Sequence, residues 1–105
     1  YTTLTNNSNR GAANQPAVDA ANPRANNTQG HIIRWKEDGD FNGQTFAWNH
    51  FVMAGDPSLP RAEAKGNIKG DMFSCPDGLW VDGRGVLWIQ CDMSTSAMGM
   101  PGRMV

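Results

Sequence analysis

Six polar side chains that flank apolar runs are the ones able to do chemistry in this sequence: Asn6, Asn7, Arg24, Asn26, Asp77 and Asp92. Arg24 could clamp a phosphate, because its planar fork offers a bidentate match that lysine cannot reproduce. The plainer reading is an exposed loop arginine. Asn6, Asn7, Asn22, Asn26 and Asn27 offer carbonyl oxygens to a metal or amides to a phosphate, and they serve equally well in loop-stabilising Asx turns. Asp77 lies in Pro76-Asp77-Gly78, where a carboxylate at the start of a strand could ligate Ca²⁺ with a hard oxygen. The same tripeptide also reads as an ordinary turn. Asp92 closes the same apolar stretch and is the second metal candidate.

Other residues have blander readings. His31 and His50 sit among bulky neighbours, with no Asp or Ser placed to make a nucleophile or base, so both are expected to be structural. Trp35, Trp48, Trp80 and Trp88 could form an aromatic cage, but their place in apolar strands predicts core packing. Asp38-Gly39-Asp40-Phe41-Asn42-Gly43 matches the first half of an EF-hand loop. Its twelfth position is Asn49, where a bidentate Glu is needed, and its flanks are strand-like, so a hairpin turn is expected. Asn6-Asn7-Ser8 and Asn26-Asn27-Thr28 match the glycosylation sequon, a pattern with meaning only in a glycosylating host.

The elements that must position these residues are strands and long loops. Tyr1–Thr5 alternates as a strand does, but nothing precedes it to pair with, as if it were cut from a longer protein. Residues 6–29 are rich in Asn, Ala and Pro without a 2.0 or 3.6 period, and a loop of this length in a compact domain is usually functional or disordered. Residues 30–54 form a hairpin, with Ile32 on one face of its first strand and Ile33 and Trp35 on the other. Residues 55–72, holding Pro57 and Pro60, make a second loop. Residues 73–92 form the last hairpin, turning at Asp82-Gly83-Arg84-Gly85, and 93–105 trail off as a tail. The turn places Val81 or Asp82 opposite Val86, and extending that register brings Cys75 almost opposite Cys91. A cross-strand disulfide is then within reach in an oxidising compartment.

Composition narrows the class. The chain has 105 residues, 39% hydrophobic, with 12 Gly and 10 Asn, too many turn formers for a helical protein. An all-β fold of antiparallel sheets is predicted. The formal charge is −1 and the nine basic residues are scattered, so no nucleic-acid footprint is visible. No apolar stretch approaches the roughly 20 residues of a membrane span, and no signal segment is present in the chain. Both faces of the last hairpin are apolar, which requires a sheet above and below. Stacked blades of a β-propeller meet that need, and a closed propeller takes about four to eight of them. The chain supplies one or two, so its apolar strands would invite self-association.

The segments Leu4–Arg10 (LTNNSNR), Asn22–Asn27 (NPRANN), Gly30–Trp35 (GHIIRW), Phe46–Pro57 (FAWNHFVMAGDP) and Cys75–Asp92 (CPDGLWVDGRGVLWIQCD), in this order, resemble the PhoX family of alkaline phosphatases. The resemblance covers most of the chain. It implies an interior fragment of a six-bladed propeller-like enzyme, periplasmic or secreted, that hydrolyses phosphomonoesters with Ca²⁺ and Fe³⁺ in its central channel. It also places an Arg-Pro-Glu segment before Tyr1 and the family's metal-binding cysteine farther upstream, so neither is in this chain and neither Cys75 nor Cys91 inherits a metal role. Family members usually carry Thr at the position of Cys91. With up-and-down strands, Asn6, Asn7, Arg24, Asn26, Asp77 and Asp92 would share one end of the sheets: Asp77 for metal, and Arg24 with the asparagines for phosphate. No residue is identifiable as the nucleophile, and the isolated chain is expected to be inactive. A non-catalytic propeller module that binds a ligand or protein, and a calcium-dependent hydrolase of the lactonase type, are the alternatives.

Overall fold

The computed structural model describes residues 1–60, 62 and 65–92; the expected tail lies outside them. Five strands, β1 (Thr2–Leu4), β2 (His31–Glu37), β3 (Phe46–Met53), β4 (Pro76–Val81) and β5 (Leu87–Cys91), form a three-stranded sheet β1-β2-β3 and a two-stranded sheet β4-β5. All pairings are antiparallel. The all-β expectation holds.

Two expectations are corrected; the strand expected over Tyr1–Thr5 does form, as β1 pairing along β2, with Thr2 opposite Ile33 and Leu4 opposite His31. The β2 edge is open because the 6–29 loop carries the chain around and back, which the sequence pattern does not reveal. The predicted proximity of the cysteines is off by one residue: Pro76, not Cys75, stands opposite Cys91. A bulge between Pro76 and Leu79 absorbs the offset, and Cys75 takes the left-handed conformation at φ 50°. Both cysteines are buried as thiols. Finally, the four tryptophans are not core residues. Trp35, Trp48, Trp80 and Trp88 are 37–66% exposed.

The tryptophans' exposure follows from how the two sheets meet. Ile32, Ala54, Phe73, Cys75, Ile89 and Cys91 form one buried cluster drawn from both sheets and their loops, with Phe51, Val52, Ile68, Leu79 and Leu87 packed around it. Burying Ile32 completely contributes about 1.5–3 kcal/mol. Directly opposed residues of an antiparallel pair share a face. Trp35 therefore lies beside Trp48, and Trp80 beside Trp88, each pair on the side of its sheet away from this cluster. Alternation in β3 would put Val52 on the Trp48 side. One extra residue, Phe51, sits between the Val52–Ile32 and His50–Ile33 pairs, and this bulge moves Val52 across to the core.

The hairpin turns are locally specified. In the 38–45 turn Gly39 adopts φ 87°, the Thr45 hydroxyl donates to Asp38 Oδ2 at 2.8 Å, and Gly43 N–H reaches Asp40 O at 2.9 Å. This is a hairpin turn, as the strand-like flanks predict. In the second turn Asp82 N–H donates to Val86 O at 3.0 Å, so the Asp82 branch of the predicted register is the one realised. The Asp82 carboxylate accepts from the Arg84 and Val86 amides and from Trp88 Nε1, at 2.9, 3.0 and 3.2 Å. These donors, the Val86 amide foremost, hold its pKa down at about 2.

Candidate functional site at the strand junction

The ends of four strands meet where the two sheets join. The residue leaving β1, the residues entering β2, and the entry to β4 are brought together around Gly30, a position only glycine fits. Its φ is 77°, and a Cβ there would lie 2.9 Å from Pro76 Cδ and 3.1 Å from Leu4 O. Cys75 N–H donates to Gln29 O at 2.6 Å, and Asp92 N–H to Cys75 O at 2.9 Å, which ties in the exit of β5. The Thr3 hydroxyl donates to the main-chain oxygen of Asp77 at 2.8 Å. The strand ends that carry the candidate residues thus gather at one junction.

The 6–29 loop is anchored to that junction by two devices. The first is Arg24. Its Nη1 donates to Ala54 O at 2.9 Å and Lys65 O at 3.1 Å, and its Nη2 donates to Gly30 O. A phosphate clamp and an exposed loop arginine, the two readings of the sequence, both have the fork facing outward; in the structure it turns inward and joins the loop to the ends of β2 and β3 and to the 65 region. Its Nε–H is buried and has no partner among the described residues. Burial lowers the Arg24 pKa, but a guanidinium stays charged at any ordinary pH.

The second device is Asn27, which the sequence offers only as one of five candidate loop asparagines. Asn27 is buried, its Oδ1 accepts from Gly30 N–H at 3.0 Å, and its Nδ2 meets His31 Nδ1 at 2.9 Å. Its main-chain oxygen accepts from Asn7 N–H at 2.7 Å, bridging the two arms of the loop. Because Asn27 Oδ1 is already an acceptor, Nδ2 donates to His31 Nδ1. His31 Nε2–H then donates to Ala21 O at 2.7 Å. His31 is wholly buried and its pKa is lowered, first by desolvation and further by the charges of Arg24 and His50, against the raising effect of Ala21 O. It is neutral and structural, as expected of it. The legible signal for Asn27 was its spacing: an Asn three residues before a glycine that opens a strand can cap that glycine's amide.

The remaining candidates are at the surface. Asn6 is exposed and accepts from the Thr5 hydroxyl at 3.2 Å. Asn7 Oδ1 accepts from Asn9 N–H and Arg10 N–H at 3.0 and 3.3 Å, the Asx turn that was one of its two readings. Asn26 is exposed at φ 49°, leaving its side chain outside the loop's own hydrogen bonds. Asp77 and Asp92 are exposed, and neither carboxylate makes a hydrogen bond among the described residues. No group of three or more His, Cys, Asp or Glu able to hold a metal occurs among the described residues, so a metal here would draw most of its ligands from elsewhere. Among them, too, no helix is long and apolar enough to cross a membrane.

Two apolar surfaces flank the junction. A cavity of about 650 Å³ lies between the Ile33, Trp35, Phe46 and Trp48 side of the first sheet and loop residues 19–21. A second, of about 410 Å³, lies on the Trp80 and Trp88 side of the other sheet.

The PhoX alkaline phosphatase family profile matches residues 1–104. The chain is also similar to a solved structure of PhoX from Pseudomonas fluorescens in complex with vanadate, a transition-state analogue, with a TM-score of 0.85 and 44% sequence identity. The match covers 97% of this chain and 19% of that one, so the chain spans about a fifth of its relative's length. No curated protein matches it. The antiparallel sheets, the order of the motifs and the extent of both matches agree: this chain belongs to the PhoX alkaline phosphatase family.

Proposed function

We propose that this chain forms one wall of the active site of a metal-dependent phosphatase that hydrolyses phosphate monoesters, and that the site lies at the strand junction. The observation that carries the reading is the gathering there of the strand ends bearing Asn6, Asn7, Asn26, Asp77 and Asp92. The relative's complex with vanadate supports a site that handles a phosphoryl group. Vanadate resembles the crowded, charged phosphorus of the transition state, which fixed donors and cations stabilise.

In this reading the exposed carboxylate of Asp77 is a hard oxygen ligand for calcium, with Asp92 as a second donor. Bound metal would supply charge neutralisation to the phosphoryl oxygens. The amides of Asn6 and Asn26 orient the substrate phosphate, with Asn7 shaping the turn beside it. Arg24 positions the loop that presents them. The iron of the family and the rest of the calcium shell belong to parts of a longer polypeptide. The same parts would cover the Trp35–Trp48 and Trp80–Trp88 faces, and self-association of the isolated chain through these faces follows if they stay bare. A periplasmic or secreted setting suits such an enzyme.

The test is release of phosphate from a chromogenic monoester by the full-length natural protein, with and without a chelator. Loss of turnover on chelation, restored by calcium, is expected. A full-length protein that binds metal yet releases no phosphate from any monoester would overturn the assignment.

A further inference from the structure

We propose that Asn27 is a positioning residue that, by donating to neutral His31, holds the Asn6–Asn7 and Asn26 turns at the strand junction, and that protonation of His31 releases them. As it concerns the phosphate contacts, the proposal rests on the phosphatase reading above. The hold on the loop itself does not.

Among the described residues Asn27 ties the loop to β2 through its side chain, at Gly30 and His31, and to the other arm of the loop through its main-chain oxygen, at Asn7. Its side-chain contacts to Gly30 N–H and His31 Nδ1 fix its amide orientation, and that orientation allows a single imidazole tautomer, the one with hydrogen on Nε2; its main-chain oxygen separately accepts from Asn7 N–H. The tautomer in turn supplies the donor that Ala21 O accepts, so the ring holds residues 21 and 27 directly, and Asn7 and Gly30 through Asn27. A proton added at His31 Nδ1 would face the Asn27 NH₂, donor against donor, inside a buried site. The charged and titratable neighbours make that proton less welcome: Arg24 on the same loop, and His50 from β3 with its ring centroid 5.6 Å away. His50 Nε2 is itself buried and makes no hydrogen bond among the described residues.

The sign follows from linkage. The folded-state pKa of His31 lies below histidine's ordinary 6.5, so the unfolded or released loop binds the proton more readily. The hold is complete above pH 6.5 and weakens as pH falls from there towards the depressed value, by up to about tenfold per pH unit for one proton.

The experiment is hydrogen exchange in the full-length protein, following peptides that contain the Asn7 and Gly30 amides, corrected for intrinsic rates, from pH 8 to about pH 5. Protection should fall below pH 6.5 in the wild type. Asn27→Asp replaces the facing donor with a carboxylate that prefers imidazolium, so protection there should rise as pH falls, the opposite sign. A merely structural Asn27 would lose protection equally at every pH. His31→Asn keeps an acceptor near Nδ1 but cannot titrate, and should flatten the profile. Phosphate release from p-nitrophenyl phosphate is measured on the same samples. An unchanged pH profile in Asn27→Asp, or an Nδ1–H tautomer of His31 by ¹⁵N NMR, overturns the proposal. Opposite-sign exchange profiles in a protein that releases no phosphate would support the hold on the loop and sink the phosphatase reading instead.

Discussion

Arg24 separates two roles that the sequence alone leaves merged, a clamp on phosphate and a pin for the loop, and removing its fork tells them apart. In Arg24→Ala the three carbonyls fare differently. Gly30 O keeps a donor, since Ala54 N–H also reaches it at 3.2 Å, and the exposed Lys65 can turn its oxygen to water. Each of those lost bonds costs about 0.5–1.5 kcal/mol. Ala54 is wholly buried, and its oxygen would be left without a donor, at a cost of about 1–3 kcal/mol. The total, near 4 kcal/mol, is a large part of the 5–15 kcal/mol typical of a folded domain. In hydrogen exchange this is about a thousandfold loss of protection for the 24–30 and 54–55 segments of the full-length protein. Arg24→Lys, whose ammonium can serve one carbonyl well, should lose an intermediate amount, as lysine does at forked sites. Phosphate affinity should then fall only as far as the loop opens. Refutation would be Arg24→Ala retaining protection within about twofold while inorganic phosphate binds more than tenfold more weakly; the fork would then face the ligand.

Asp77→Ala should lower calcium content and phosphatase turnover of the full-length protein together, by more than tenfold in turnover, as read by metal analysis and phosphate release. Gly30→Ala should destabilise the junction by about 1–2 kcal/mol from its left-handed φ alone, and by more from the approach to Pro76, measured by urea unfolding. Asp82→Asn should weaken the last hairpin at neutral pH, seen as faster exchange of the Val86 amide. In the wild type that contribution is present above pH 3.8, the ordinary carboxylate value, and is lost as pH falls towards about 2; the variant should show no such step.

The strands were legible because alternation and turn chemistry act locally. Ile32 and Ile33 do point to opposite sides of β2, and Asp82-Gly83-Arg84-Gly85 does turn the last hairpin. The family was legible from five ordered segments. What escaped the sequence depends on contacts between distant residues. The inward turn of Arg24 depends on carbonyls of residues 30, 54 and 65, and the value of Asn27 depends on His31 and Asn7 being brought to it. Apolar alternation marks the tryptophans as burial-seeking, but it does not say whether the surface that buries them lies within these 105 residues.

The extra residue at Phe51 gives β3 two phases. From Phe46 to His50 the even-numbered side chains share a side with Trp35; past Phe51 that parity is reversed and Val52 joins Ile32. Deleting Phe51 would remove the bulge and leave Val52 opposite Ile32 in plain alternation with His50, whereas deleting one residue between Phe46 and His50 would put the residues before it on the wrong side. Comparisons of related chains that count this strand straight through will therefore mistake core for surface beyond Phe51, and the length change that β3 can take singly is the loss of Phe51 itself.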